Sequence, residues 1–203
     1  MARYTGPKTK VSRRLNVLLA GSPKAFERKN YPPGMHGPKG SRRKISDYAL
    51  AMAEKQKLRF QYGVLEKQFR RYFQIALSRR GVTGETLLQL LETRVDNVIY
   101  RMGLAKTRAG ARQMVSHGHV RVNGRKLDVS SANLKPGDKV EIKDAPGSKR
   151  LALRNVEQTQ IAPVPEWLVV DKDNLAGEVV RIPTRAEINP IANEQLVVEL
   201  YSR

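Results

Sequence analysis

The sequence predicts an α+β chain in three stretches: a basic, irregular N-terminal arm, a mostly helical segment, and a mixed segment that runs into strands. Three observations carry that reading. Proline and glycine crowd residues 31–40. Apolar residues then recur at helical spacing. Near residue 119 the apolar period drops to two.

The arm covers residues 1–45. Its run YPPGMHGPKG, residues 31–40, cannot hold a helix, because proline removes donors and glycine adds chain entropy. Ser46 is placed to cap a helix with Asp47 in its first turn, running to about Tyr62 and stopping at Gly63. The next helix sets Leu65, Phe69, Tyr72 or Phe73, and Ala76 on one face, with Lys67, Arg70 and Arg71 elsewhere, and Gly81 closes it. From Glu85 onward Leu87, Leu88, Leu91, Val95, Val98, Ile99 and Met102 again keep helical spacing, as one helix or two, up to Gly103. Thr107 caps a short helix with Ala111, Met114 and Val115 inward, and Gly118 ends it.

The strands follow. In residues 119–123, HVRVN, Val120 and Val122 point one way and His119, Arg121 and Asn123 the other. Asn123-Gly124 is a strong hairpin signal, with Leu127 and Val129 on the return strand. Pro136, Gly137 and Asp138 turn the chain into a third strand at residues 140–142. Residues 148–158 read as a helix capped by Ser148. Short strands are expected at 167–170, 178–182 and 195–200, with Trp167 in the core. No internal repeat is visible.

Charge narrows the function. The 203 residues hold 38 Lys and Arg against 19 Asp and Glu, a formal net charge of +19. Such an excess opposes compaction by self-repulsion, and a polyanion relieves it. Nucleic acid is the first candidate and an anionic membrane surface the second. No run approaches the roughly 18 apolar residues of a membrane helix, and the basic start lacks the apolar stretch of a secretory signal. Cysteine is absent, which excludes disulfides and thiolate metal sites. Residues 1–46 carry 12 basic and 1 acidic residue, whereas residues 155–203 carry 4 and 8. A phosphate-facing surface is therefore expected from the first three quarters, and packing or protein contacts from the last.

Residues 94–122 are the best candidate for RNA contact. Arg94, Arg101, Arg108, Arg112, Gln113, Ser116, His117, His119 and Arg121 stand along two short helices and a strand. Arg108 and Arg112 are spaced i,i+4, one above the other, and guanidinium forks bind phosphate bidentately. The hairpin adds Asn123, Arg125 and Lys126. Duplex RNA is read mostly by shape and backbone, which suits a rigid basic surface. The plain alternative is a solvated basic face.

The stretch RVDNVIYRMGLAKTRAGARQMVSHGHVRVNGRKLDV resembles the αL-type RNA-binding motif. The opening ARYTGPK, then YPPGMHG, KISDYALAMAEKQKLRFQYGVLEKQFRRYF, TGETLLQLLETRVDN and the ending NEQLVVELYSR resemble the bacterial or plastid small-ribosomal-subunit protein four family, over almost the whole chain. That resemblance implies a structural, non-enzymatic protein that binds small-subunit (16S-type) rRNA early, nucleates assembly of the subunit body and contributes to translational accuracy. It implies contacts with small-subunit proteins five and twelve, in some members repression of their own operon mRNA, and a monomer within the ribosome. It implies a helical domain at 46–92, completed by about 184–203, with an αL domain inserted at 93–183.

The same resemblance extends the expected RNA contacts to the arm and the helical domain. In the arm these are Arg3, Lys8, Lys10, Arg13, Arg14, Arg42, Arg43 and Lys44. In the helices they are Lys55, Lys57, Arg59, Lys67, Arg70 and Arg71. Many members carry four zinc-binding cysteines in the arm. Here Thr9, Ser12 and, by a gapped match, about Ala20 and Ala25 stand there. Zinc and other cofactors are therefore not expected, and rRNA or packing must hold the arm.

Other motifs carry less. His117 and His119 are a weak metal pair with no cysteine nearby, and Gly34, Gly37 and Gly40 lack the preceding strand of a dinucleotide loop. Carboxylates do not cluster in the basic segments, and no nucleophile has an adjacent base. The competing functions are an RNA-modifying enzyme such as a pseudouridine synthase, a free-standing ribosome-rescue or heat-shock αL protein, and a basic membrane-surface protein. Uridine isomerisation by the purified protein would mark the first. Bacterial cytoplasm and plastid stroma both fit.

Overall fold

In a computed structural model that describes residues 3–19, 23–38, 45–159 and 163–202, the chain forms, in order, α1 (Lys8–Leu15), α2 (Pro23–Glu27), α3 (Asp47–Gln61), α4 (Glu66–Ser78), α5 (Thr83–Glu92), α6 (Val95–Arg101), α7 (Arg108–Ser116), β1 (Val120–Val122), β2 (Arg125–Lys126), β3 (Lys139–Ile142), α8 (Pro146–Thr159), β4 (Leu168–Asp171), β5 (Ala176–Val179), α9 (Arg185–Ile188) and α10 (Glu194–Ser202). Helices and an antiparallel sheet make the class α+β. Two compact units divide the chain, one of residues 1–84 with 190–203 and one of residues 85–189.

The first unit is helical. Ser46 caps α3, its hydroxyl accepting from the Ala49 amide at 3.3 Å. Gly63 then takes φ +62°, a left-handed value that ends the helix without strain. Phe69, Tyr72, Phe73 and Ala76 form the buried face of α4, while Lys67, Arg70 and Arg71 stay exposed. Tyr201 of α10 stacks on this face, and α10 also packs along α3. The Tyr201 ring lies 4.7 Å from that of Phe73, and its hydroxyl donates to Glu66 Oε1 at 2.7 Å. Burial pushes the Tyr201 phenol up, and the Glu66 carboxylate pushes it further. At Glu66 burial works toward a raised pKa, but the hydrogen bonds from Lys55 and Tyr201 prevail and hold the carboxyl below its usual range. The strand expected at 195–200 is thus part of helix α10.

Within the arm the chain forms α1 and α2, which the proline and glycine content did not suggest. Ser12 is fully buried, and its hydroxyl accepts from the Leu19 amide at 3.3 Å. Arg13 donates to the carbonyls of Tyr31 at 3.0 Å and Pro32 at 3.3 Å, with its guanidinium 4.7 Å over the Tyr31 ring. Tyr4 meets Phe60 edge-on at 5.1 Å. Packing and hydrogen bonds hold the described part of the arm.

The second unit is mixed. The apolar stretch after Glu85 is two helices, because residues 93 and 94 leave the helix to pair with a loop. Arg94 is extended and bridges Asn133, the Val95 amide donates to the Ala132 carbonyl, and the Leu134 amide to that of Thr93. The sheet runs β2-β1-β3-β5-β4, every neighbour antiparallel. Asn123 and Gly124 turn β1 into β2 with φ +50° and +76°, the pair of positive values of a type I′ turn. The return strand ends at Lys126; Leu127 packs on the core and Val129 is exposed. Strands β4 and β5 are shorter or shifted relative to the expected spans, and Trp167 is buried just before β4. Helix α8 starts at Pro146, so Ser148 lies inside it, buried, and does not cap it. Val95, Val98, Ile99, Met114, Val115, Val120, Val140, Trp167 and Val179 share one core.

Candidate nucleic-acid interface

The arginines of residues 94–112 converge on three polar residues that stand inside the apolar run. Glu92 is 1% exposed and Asp96 and Asn97 are buried with it. Asp96 Oδ1 accepts from Arg94 Nε at 3.0 Å. Asp96 Oδ2 accepts from Arg94 Nη2 at 2.8 Å, Arg112 Nε at 3.0 Å and Arg112 Nη2 at 2.7 Å. The Asn97 amide donates to Glu92 Oε2 at 2.6 Å and its oxygen accepts from Arg108 Nε at 2.7 Å. Glu92 grips Arg101 through two bonds of 3.0 and 2.8 Å. Arg108 also lies 4.5 Å over the Tyr100 ring. Two carboxylates thus hold three guanidiniums and the Asn97 amide oxygen holds a fourth, and the cluster keeps a positive excess. Separating such a buried pair costs about 3–5 kcal/mol, so the cluster is part of the fold as well as of the surface.

Two expectations are corrected here. Arg94 is 2% exposed with its charge turned inward onto Asp96, so it is not on an RNA-facing surface. Carboxylates do cluster in a basic segment, and they orient its arginines. Glu92, Asp96 and Asn97 were missed as functional residues. Their signal was present, since all three stand among Leu91, Val95, Val98 and Ile99, the apolar residues that keep helical spacing and are fully buried.

The second group sits where α7 meets the hairpin. Thr107 caps α7, accepting from the Gly110 amide at 3.0 Å. Gln113, Ser116 and His117 are exposed along it. Gly118 takes φ +72°, so the turn favours glycine, and the Lys126 side chain crosses over it, its Cε 2.7 Å from where a Cβ would stand. The rings of His117 and His119 are 6.1 Å apart. His119 is half-buried, with Nδ1 2.9 Å from Ser148 Oγ, and is oriented by α8. Val120 is buried, so Arg121 turns to the other face, opposite Lys126 on one side and Glu141 on the other. Bonding to and attraction by Lys149 lower the pKa of Asp144, and Arg121 adds to this. Asn123 is fastened to the Asp138 carboxylate at 2.8 Å and the Lys139 amide at 2.9 Å, which leaves it exposed but committed to the turn. Arg125 and Lys126 are exposed on β2.

In the first unit, Arg3, Lys8, Lys10, Arg14, Lys67, Arg70 and Arg71 are exposed. Arg13 is turned onto Tyr31. Lys55 is buried against Glu66 at 2.7 Å, and Lys57 pairs with Glu54 at 2.6 Å. Arg59 is half-buried over the Phe60 ring. Lys55 is thus a structural cation, which corrects its expected place on a phosphate surface. Arg42, Arg43, Lys44 and Ala20 lie outside the described residues. Among the described residues no helix is long and apolar enough to cross a membrane.

The family description "Ribosomal protein S4/S9 N-terminal domain" matches residues 3–92, and "S4 domain" matches residues 93–140. The chain is 58% identical over 203 residues to "Small ribosomal subunit protein uS4" of Opitutus terrae and 56% identical to that of Akkermansia muciniphila, with all of each chain covered. The chain belongs to the small ribosomal subunit protein uS4 family. The relative from Persephonella marina is 51% identical over 204 residues, again over both full chains. In this uS4-family chain the S4-domain match takes in α6, α7, β1 and β2, which carry Asp96, Asn97, the arginine set and the histidine-hairpin group.

Proposed function

We propose that this uS4-family chain is a structural, rRNA-binding constituent of the small ribosomal subunit. One observation carries it above the rest. The S4-domain match coincides with a rigid, positively charged cluster whose guanidiniums are already oriented. Oriented forks suit phosphates at fixed spacing, as a folded RNA presents them. The role is structural rather than catalytic.

Within that reading, the arm (1–45) and the helical domain (46–92 with about 184–203) add phosphate contacts, and the inserted domain (93–183) supplies the shaped surface. Arg108, Arg112, Gln113, Ser116, His117, His119, Arg121, Asn123, Arg125 and Lys126 form its contact set, joined by Arg3, Lys8, Lys10, Arg14, Lys67, Arg70 and Arg71. The protein binds 16S-type rRNA early, nucleates the subunit body, supports translational accuracy, and contacts proteins five and twelve as a single copy. It works in the bacterial cytoplasm or an equivalent plastid stroma, and its own operon mRNA is a second target. Footprinting on naked small-subunit rRNA tests this. Protection of a compact set of helices is expected; uniform weak protection, or none, would refute it.

A further inference from the structure

We infer that Asp96 is a positioning residue for Arg112 on the RNA-facing side of α7, with Asn97 serving Arg108 in the same way; this rests on the rRNA-binding reading above. A carboxylate amid phosphate-binding arginines repels the ligand, so its presence at their centre needs a cause. The geometry supplies one. Asp96 uses both oxygens, and through them orients two guanidiniums by their Nε and Nη2 edges. Arg94, as buried as Asp96 itself, offsets the carboxylate charge from within. Arg112 keeps 14% of its side chain exposed, at the rim of the cluster. One residue on, Asn97 Oδ1 accepts from Arg108 Nε, and the Tyr100 ring backs that guanidinium.

Consecutive residues of α6 therefore each hold one of the i,i+4 arginines of α7. An arginine fixed on folding has less rotamer freedom left to lose when it meets phosphate. Asp96 then strengthens anion binding although it is itself an anion. That sign separates positioning from net electrostatics.

The test is a charge-neutral swap. Arg94→Met with Asp96→Asn removes one cation and one anion, leaves the formal charge at +19, and takes out both members of the buried Arg94–Asp96 pair together, so that neither is left without the other. Net electrostatics predicts unchanged affinity for small-subunit rRNA. Positioning predicts about tenfold weaker binding and a salt slope shallower by about one. Loss of Arg112 from the phosphate count produces that change of slope, and a general softening of the fold does not. Arg112→Lys keeps the charge, loses the fork and is partly exposed, so it decides the matter if the double variant does not fold. It should weaken binding to a similar extent. Folded variants with wild-type affinity and slope would overturn the inference while leaving the rRNA reading intact. A wild-type chain that does not bind small-subunit rRNA would overturn that reading, and this inference with it.

Discussion

Arg108 and Arg112 are each fixed by one edge to a side chain of α6 and present the rest of the guanidinium at the surface. Removing both side chains should therefore do more than weaken binding. Arg108→Ala with Arg112→Ala is expected to lower rRNA affinity at least about tenfold, since a charge-assisted contact contributes about 1.5–3 kcal/mol. It should also lower the melting temperature, because Asp96 loses one of its two guanidinium partners; a variant with wild-type affinity and wild-type melting would contradict both roles. The residue scale also holds a pH dependence. The Arg181 guanidinium, followed by the Thr184 amide and hydroxyl, lowers the Glu187 carboxyl from its ordinary 4.5 to about 2. A depressed folded pKa means that the stability Glu187 contributes is present above pH 4.5 and is lost as pH falls toward 2. The wild type should lose more melting temperature over that window than Glu187→Gln, as differential scanning calorimetry would show; parallel curves would refute the assignment. At this scale the sequence showed which side chains could meet phosphate. It did not show which of them a carboxylate had already claimed, because Arg94–Asp96 and Lys55–Glu66 are told from exposed cations only by burial.

Elements were legible where a single signal acted alone. Ser46 and Thr107 cap helices as their positions suggested, and Asn123-Gly124 turns the hairpin. Where two patterns fitted one stretch, packing decided. Val197 and Val198 suit a strand by β-branching, yet Val197 and Tyr201 also stand i,i+4 on a helix face, and that face meets α3 and α4. Val197 is fully buried in α10. Val197→Asp would place an unpaired charge there, at a cost of several kcal/mol. Loss of the helical signal or of a cooperative urea transition is expected, and a fully folded variant would show that α10 is dispensable. The break between α5 and α6 was equally undecidable from period alone. It depends on residues 132–134, some forty positions away, supplying partners for the backbone of residues 93–95. In α8, the hydroxyl of Ser148 looked like a cap, but it lies inside the helix against His119.

At the scale of the molecule the governing quantity is charge. The excess of +19 is concentrated before residue 155, and the segment after it is net acidic. Binding to rRNA should therefore be strongly salt-dependent. With on the order of six phosphates neutralised, log K is expected to fall against log salt with a slope of roughly −4 or steeper. Filter binding or fluorescence anisotropy across a salt series measures it, and a slope near zero would overturn the electrostatic account. The same excess explains why the carboxylates Glu92 and Asp96 are placed inside and Glu66 at a half-buried site, each among cations. They offset part of the self-repulsion at the sites where basic side chains crowd.

Composition and period by themselves determined the α+β class, the basic character of the surface, the hairpin and the order of its elements, because these depend on local spacing and on summed charge. Tertiary structure alone decided the rest: that residues 195–200 join a helix, that the arm is fastened through Ser12 and Arg13, and that Arg94 points inward while Arg112 reaches the rim. Each of those outcomes turns on burial and on partners that only the folded chain assembles, and the free energy of a polar or apolar side chain is set by what surrounds it after folding.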